Sequence, residues 1–160
     1  MYYQTLELIL ISDMDKIIWI VIVLLAGAFL PFQAGLNNKL GKAIDSPVYA
    51  SMFSFIVGAV AMVLYVIFTR QTADLKGISQ VPYYVWIAGL LGAFYVTVII
   101  LAFPKLGPGL TFGLVVAGQM TASILFEHNN ILVAQQSPIS FMKIFGVVLI
   151  VAGVIIIRKF

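Results

Sequence analysis

The sequence contains no cysteine and only one histidine among its 160 residues. The absence of cysteine excludes disulfides, thiolate metal sites and cysteine nucleophiles, and a single histidine cannot form a histidine metal cluster. Charge is also scarce, because Asp, Glu, Lys and Arg make up 9% of the chain, whereas soluble domains carry about 25%. So few charges cannot cover a surface that faces water, and the sequence therefore predicts a protein whose solvent is lipid.

The chain is rich in apolar residues, because hydrophobic residues make up 62% of it. The long uncharged runs approach or exceed the length of about 20 residues that a helix needs to cross a bilayer. They do not alternate polar and apolar residues as the strands of an outer-membrane barrel do. The sequence predicts an all-α membrane protein with five transmembrane helices, at about residues 17–38, 47–69, 83–103, 107–126 and 139–157.

The sequence before helix one and a short motif within it each need an interpretation. We expect residues 1–16 to be an N-terminal extension and residues 17–160 to be a single five-helix domain. The extension contains Glu7 and Asp13, and its apolar patch is too short to span. A cleaved signal peptide is the competing interpretation of helix one, because residues 26–28 (Ala-Gly-Ala) resemble a cleavage site. The apolar run continues past that site, which favours a retained helix.

Positive charge is divided almost evenly between the two sides of the membrane. An odd number of spans places four Lys and Arg residues on one side and five on the other: Lys16, Arg70, Lys76 and Lys143 against Lys39, Lys42, Lys105, Arg158 and Lys159. Orientation follows the Lys and Arg asymmetry of short loops. The near balance favours insertion in both orientations, and insertion in one orientation is the alternative. An antiparallel pair would supply the inverted symmetry that many transporters use.

Polar residues inside the predicted spans are the candidates for function. Gln33 and Asn37 are four residues apart on helix one and share a face. Pro31 precedes them and predicts a kink, because proline removes a backbone donor. Polar groups at this depth face a protein interior or an aqueous cavity. They either contact a substrate or join helices by hydrogen bonds. Four further polar residues could line a cavity, although packing is the favoured role for each: Ser51 and Ser54 in helix two, and Tyr95 and Thr97 in helix three.

Helix four carries a second polar stripe. Gln119, Ser123 and Glu127 follow one another at four-residue spacing, and His128 adjoins the last of them. Glu127 and His128 are the titratable pair that a proton-coupled transporter would use. The alternative is that Glu127 forms a plain interfacial ion pair with Lys143, which returns to the same membrane edge.

Four stretches of the chain resemble the YdcZ-like family of small bacterial inner-membrane proteins in the drug/metabolite transporter (DMT) superfamily: residues 27–37, 89–95, 116–123 and 143–153. The turn at residues 103–109 is similar to that of EamA-type members. This resemblance implies a five-helix unit that forms half of an antiparallel ten-helix DMT-like assembly, either as a homodimer or as an inverted pair of subunits. It also implies that the polar pathway positions of the family fall on Gln33, Asn37 and Gln119.

The chain departs from the family pattern at two charged positions. Glu127 stands where we expect Asp, and Lys143 stands where we expect Arg. Both substitutions keep the charge, but lysine lacks the bidentate geometry of arginine. The chain also lacks the buried helix-one glutamate that small multidrug-resistance proteins use for proton–drug exchange, so their mechanism does not transfer to it.

These observations lead to a transporter subunit that exports small organic metabolites or drugs by alternating access as an antiparallel dimer. In such a dimer, Gln33 of one copy and Gln119 of the other fall in the same half of the membrane. A regulatory or assembly subunit without transport and a small dual-topology channel are the alternatives. The expected partners are membrane lipid, a small-molecule solute and an inverted second chain, in the bacterial inner (plasma) membrane.

Other function classes find no support in the sequence. The positive charge is too small and too scattered for nucleic-acid binding. We expect neither an enzyme nor a cofactor, because no nucleophile–base pair, metal cluster or phosphate-binding loop occurs at a suitable spacing.

Overall fold

The computed structural model describes residues 2–73 and 75–160, with side chains from residue 14 onward. The chain forms four long helices and, between the second and third, two short 3-10 helices at Leu75–Gln80 and Tyr83–Trp86. The long helices are α1 (Tyr2–Ala43), α2 (Pro47–Phe68), α3 (Ile87–His128) and α4 (Phe141–Lys159). Each contains a segment that is long and apolar enough to cross a membrane, and the described residues contain no strand. Most of the expected N-terminal extension lies outside the described side chains.

Helix α1 extends beyond the predicted span at both ends. It continues to Ala43, so Lys39 and Lys42 lie on the helix and the link to α2 is shorter than expected. Lysine is a good helix former, and the helix can therefore continue into the interfacial water beyond the membrane edge. The helix also passes through Pro31, where the kink stays a prediction.

Side-chain caps set the starts of α2 and α4. Ser46 accepts a hydrogen bond from the backbone N–H of Tyr49 at 3.4 Å, and Pro47 opens α2. Ser140 accepts one from the backbone N–H of Lys143 at 3.3 Å. Such caps satisfy helical N–H groups that have no partner within the helix. The Ser140 cap sets the start of α4 two residues later than the predicted fifth span, and the helix also ends two residues later, at Lys159.

Helix α3 contains the predicted third and fourth spans, separated by a sharp bend at Gly107. This residue has φ 74° and ψ 164°, a conformation that is essentially restricted to glycine. Tyr95 and Phe112 line one small cavity of about 10 Å³, although a straight helix would hold them about 25 Å apart. The chain therefore turns back at Gly107, and residues 87–106 and 108–128 are separate helical segments in space.

The helices pack in two groups. Residues 87–106 lie against α1 and α2, where Thr97 Oγ1 donates a hydrogen bond of 3.0 Å to Ser51 Oγ. Among the described long helices, α4 packs only against α3. The buried apolar side chains of the described part are few and mark these contacts: Ala34, Ala50, Ile99, Ile100 and Val154. Most large apolar side chains are exposed, as expected for helices that lipid surrounds.

Candidate functional site

The first polar contact inside the spans joins α1 to α2. Asn37 is buried, and its Nδ2 donates a hydrogen bond of 3.2 Å to Ser54 Oγ. Gln33 lies one turn earlier on the same face of α1 and is exposed. Its amide makes no hydrogen bond within the described part of the chain. Two amides and a hydroxyl therefore meet in a segment that is otherwise apolar.

A small cavity of about 10 Å³ between α1 and α3, with room for about one water molecule, lies against this polar face. Tyr95 lines it, and the hydroxyl oxygen of this residue is buried without a hydrogen-bond partner. Apart from Gln33 and Asn37, the rest of the wall is apolar: Leu30, Ala34, Val96, Ile99, Ile100 and Phe112. Three of the five predicted pathway residues thus come together here. We call Gln33, Asn37, Ser54 and Tyr95 the polar cluster.

Gln33 also lines two open grooves beside α2. One groove contains Ser54 and Gly58 of α2 together with Val96 of α3, and the other contains Asn37 and Ser54. Gln33 is therefore shared by the cavity and by both grooves.

The remaining two predicted pathway residues lie elsewhere in the single chain. Gln119 and Ser123 are exposed on the segment 108–128, and neither lines the cavity of the polar cluster. From that segment Phe112 alone reaches the cavity wall. One chain by itself therefore does not join the helix-one and helix-four polar positions.

Charged residues meet at the end of the segment 108–128. Lys143 Nζ lies 2.7 Å from Glu127 Oε2 and also donates hydrogen bonds to the hydroxyl and the carbonyl of Ser137, at 2.7 and 3.2 Å. The side chains of the ion pair are 26% and 38% exposed, so water screens much of their attraction. The pair fastens the loop before α4 to the end of α3.

His128 holds the same loop through a different set of contacts. Its Nδ1 accepts a hydrogen bond from the backbone N–H of Ile139 at 3.4 Å, and its carbonyl accepts one from Gln136 Nε2 at 2.8 Å. The structure thus places the three predicted titratable or ion-pairing residues together where α3, the following loop and α4 meet. None of them lines the cavity of the polar cluster.

Sequence reasoning missed two contributions to this site. Phe112 closes the cavity only because the chain turns back at Gly107, and no local pattern around Phe112 signals that contact. Asn38 stands at the predicted end of helix one and is not among the candidate residues, yet its Nδ2 donates a hydrogen bond of 3.3 Å to the carbonyl of Ile100. Its place beside Asn37 in an apolar run was the available signal.

The fold and the site define a class of protein before any relative is considered. The chain is a multi-pass helical membrane protein with neutral polar groups beside a cavity between its spans. Within the described residues, no three His, Cys, Asp or Glu side chains stand close enough to hold a metal ion.

The comparison with protein families agrees with this class. Residues 18–156 match the family model DMT_YdcZ, described as "Putative inner membrane exporter, YdcZ". The match covers most of the chain, and the protein belongs to this family of the inner membrane. No curated protein and no solved structure matches the sequence. Because export is a form of transport, the description of the family indicates a membrane transporter.

Proposed function

We propose that this protein exports small organic metabolites or drugs by alternating access, as an antiparallel dimer. The observation that carries this proposal is the polar cluster, which lines two open grooves and a small cavity within the apolar spans. Polar side chains at this depth are costly unless they face protein, water or a solute. The description of the family as an exporter supports the same class of function.

The dimer accounts for the polar residues that one chain leaves apart. Gln119 and Ser123 are exposed on an otherwise apolar segment, where lipid offers them no hydrogen bond. Inverting a second copy moves its Gln119 into the half of the membrane that contains Gln33. The near-equal count of Lys and Arg on the two sides favours a population with both orientations.

The substitution Gln33→Leu tests transport without a confounding effect on the fold. Gln33 is exposed and makes no hydrogen bond within the described residues, so leucine removes the amide and leaves the packing in place. We expect cells that overproduce the wild-type chain to enrich specific small molecules in the medium. Untargeted mass spectrometry should show this enrichment lost with Gln33→Leu and retained with the loop control Gln135→Leu, at equal membrane abundance.

The same comparison separates the alternative functions. A regulatory or assembly subunit enriches no solute directly, and it tolerates the loss of Gln33 as long as its helices still pack. A channel needs no coupling and should be indifferent to Glu127→Gln and His128→Gln. Equal export by the wild type and by Gln33→Leu would contradict a pathway through the polar cluster.

A further inference from the structure

The central parts of the spans contain no charged side chain. The uncharged runs at residues 17–38, 46–69, 77–104, 106–126 and 144–157 lack Asp, Glu, Lys, Arg and His altogether. We propose that the solute of the polar cluster is an uncharged small molecule that carries hydroxyl or amide groups. This inference rests on the proposed transport function and specifies its substrate class.

The polar cluster contains neutral hydrogen-bonding groups that have no partner within the described part of the chain. Asn37 Nδ2 donates to Ser54, which leaves the Oδ1 acceptor of Asn37 available. The amide of Gln33 and the hydroxyl of Tyr95 have no hydrogen-bond partner in the described part of the chain. Amides and hydroxyls both donate and accept, so these groups match the hydroxyl and amide groups of an uncharged solute.

The nearest cation in sequence does not change this conclusion. Lys39 is exposed and lies two residues after Asn37 on α1. Two residues correspond to a rotation of about 200° around the helix, so Lys39 lies on the opposite face from Asn37. The ion pair of Glu127 and Lys143 belongs to the loop before α4 and does not line the cavity.

A charged solute would lose its hydration at this site without meeting an opposite charge. Buried charges that lack a partner are strongly unfavourable, in proteins generally and in membranes in particular. The central parts of the spans in a second copy of the same chain cannot supply the missing charge, because they are equally uncharged. The exclusion of ions therefore holds for the homodimer as well as for the single chain.

Probes of matched shape and different charge test this inference. Benzamide, benzoate and benzylamine provide a neutral amide, an anion and a cation of similar size, and nicotinamide and nicotinate provide a second neutral–anion pair. The purified full chain in nanodiscs is heated with each probe at millimolar concentration. A ligand that binds only the folded state raises the unfolding temperature in a concentration-dependent way.

We expect the two amides to raise the unfolding temperature and the charged probes to leave it unchanged. The amide effect should be lost in Gln33→Leu and in Tyr95→Phe, which removes a single hydroxyl. It should persist in Tyr65→Phe, a matched control on the exposed surface of α2.

The outcomes distinguish failure of the inference from failure of the proposed function. A charged probe that stabilises as well as its amide, and does so through Gln33 and Tyr95, overturns the substrate class and leaves the site in place. Stabilisation by amides that is indifferent to both substitutions shows that the polar cluster is not their site and overturns both. Absence of any stabilisation by the amides also counts against the inference.

Discussion

At the scale of single residues, some polar groups of the polar cluster have hydrogen-bond partners within the described part of the chain and others have none. Asn37 and Ser54 satisfy each other across α1 and α2, whereas Gln33 and the Tyr95 hydroxyl have no partner among the described residues. A polar group that is satisfied within the protein serves packing. An unsatisfied one at a cavity is available to a ligand, so we assign packing to the bond between Asn37 Nδ2 and Ser54, and solute contact to Gln33, Tyr95 and the Oδ1 acceptor of Asn37.

A double-mutant cycle checks the packing role of Asn37 and Ser54. Asn37→Ala, Ser54→Ala and the double variant should show a coupling of about 0.6 kcal/mol, the average of such contacts between membrane helices. The free energy of unfolding is measured by titrating the purified protein with a denaturing detergent. The control cycle of Asn37→Ala with Ser51→Ala should be additive, because Ser51 bonds to Thr97 instead. Additivity in both cycles would contradict the contact.

The sequence predicts most of the polar residues of this site, but it predicts less well which of them lie together in the fold. Gln33 and Asn37 stand out because an amide in an apolar run is costly, and their spacing of four gives the shared face. Tyr95 belongs with them only through packing of α3 on α1. Phe112 reaches the cavity through a reversal at Gly107, which helical periodicity does not reveal.

At the scale of elements, glycine decides how closely segment 108–128 and α4 approach. A Cβ added to Gly113 would lie 2.7 Å from Val154 Cγ2 and 3.0 Å from its Cγ1. Val154 is buried, and a β-branched side chain in a helix has one strongly preferred rotamer. The valine therefore cannot rotate away, and only glycine permits this contact.

Gly113→Ala should consequently destabilise the helix pair by about 1–3 kcal/mol, the usual cost of overpacking. Gly118→Ala is the matched control, since it lies on the same segment and has nothing within 4 Å of the added Cβ. It should be neutral or stabilising by up to about 1 kcal/mol. The double variant Gly113→Ala/Val154→Ala should recover part of the loss. Detergent unfolding measures all three, and equal effects of the two glycine substitutions would refute the close approach.

The elements also show why helix existence is easier to predict than helix ends. Hydropathy locates apolar segments because lipid imposes their length. It does not locate the ends of α1, because Lys39 and Lys42 are compatible with a helix in water as well as with a loop. The turn at residues 104–109 is helical on both sides of Gly107, so four continuous helices contain five predicted spans.

At the scale of the whole molecule, the single chain exposes far more surface than a soluble protein of its size. It exposes 13053 Å², whereas a soluble monomer of the same mass exposes about 7,900 Å². Most of this surface is apolar and suits lipid. The exposed Gln119 and Ser123 do not suit lipid, and the proposed inverted second copy would cover them.

Orientation in the membrane tests this antiparallel arrangement most directly. The chain has no cysteine, so a single introduced thiol reports on one position. Ala43→Cys and Gln135→Cys place exposed reporters at the end of α1 and in the loop before α4, three crossings apart and hence on opposite sides. Each variant is treated with an impermeant thiol reagent in intact and in lysed cells.

We predict that about half of each variant is labelled from outside, because near-equal Lys and Arg counts favour both orientations. Complete labelling of one variant and none of the other would show a single orientation and contradict a dimer of inverted identical chains.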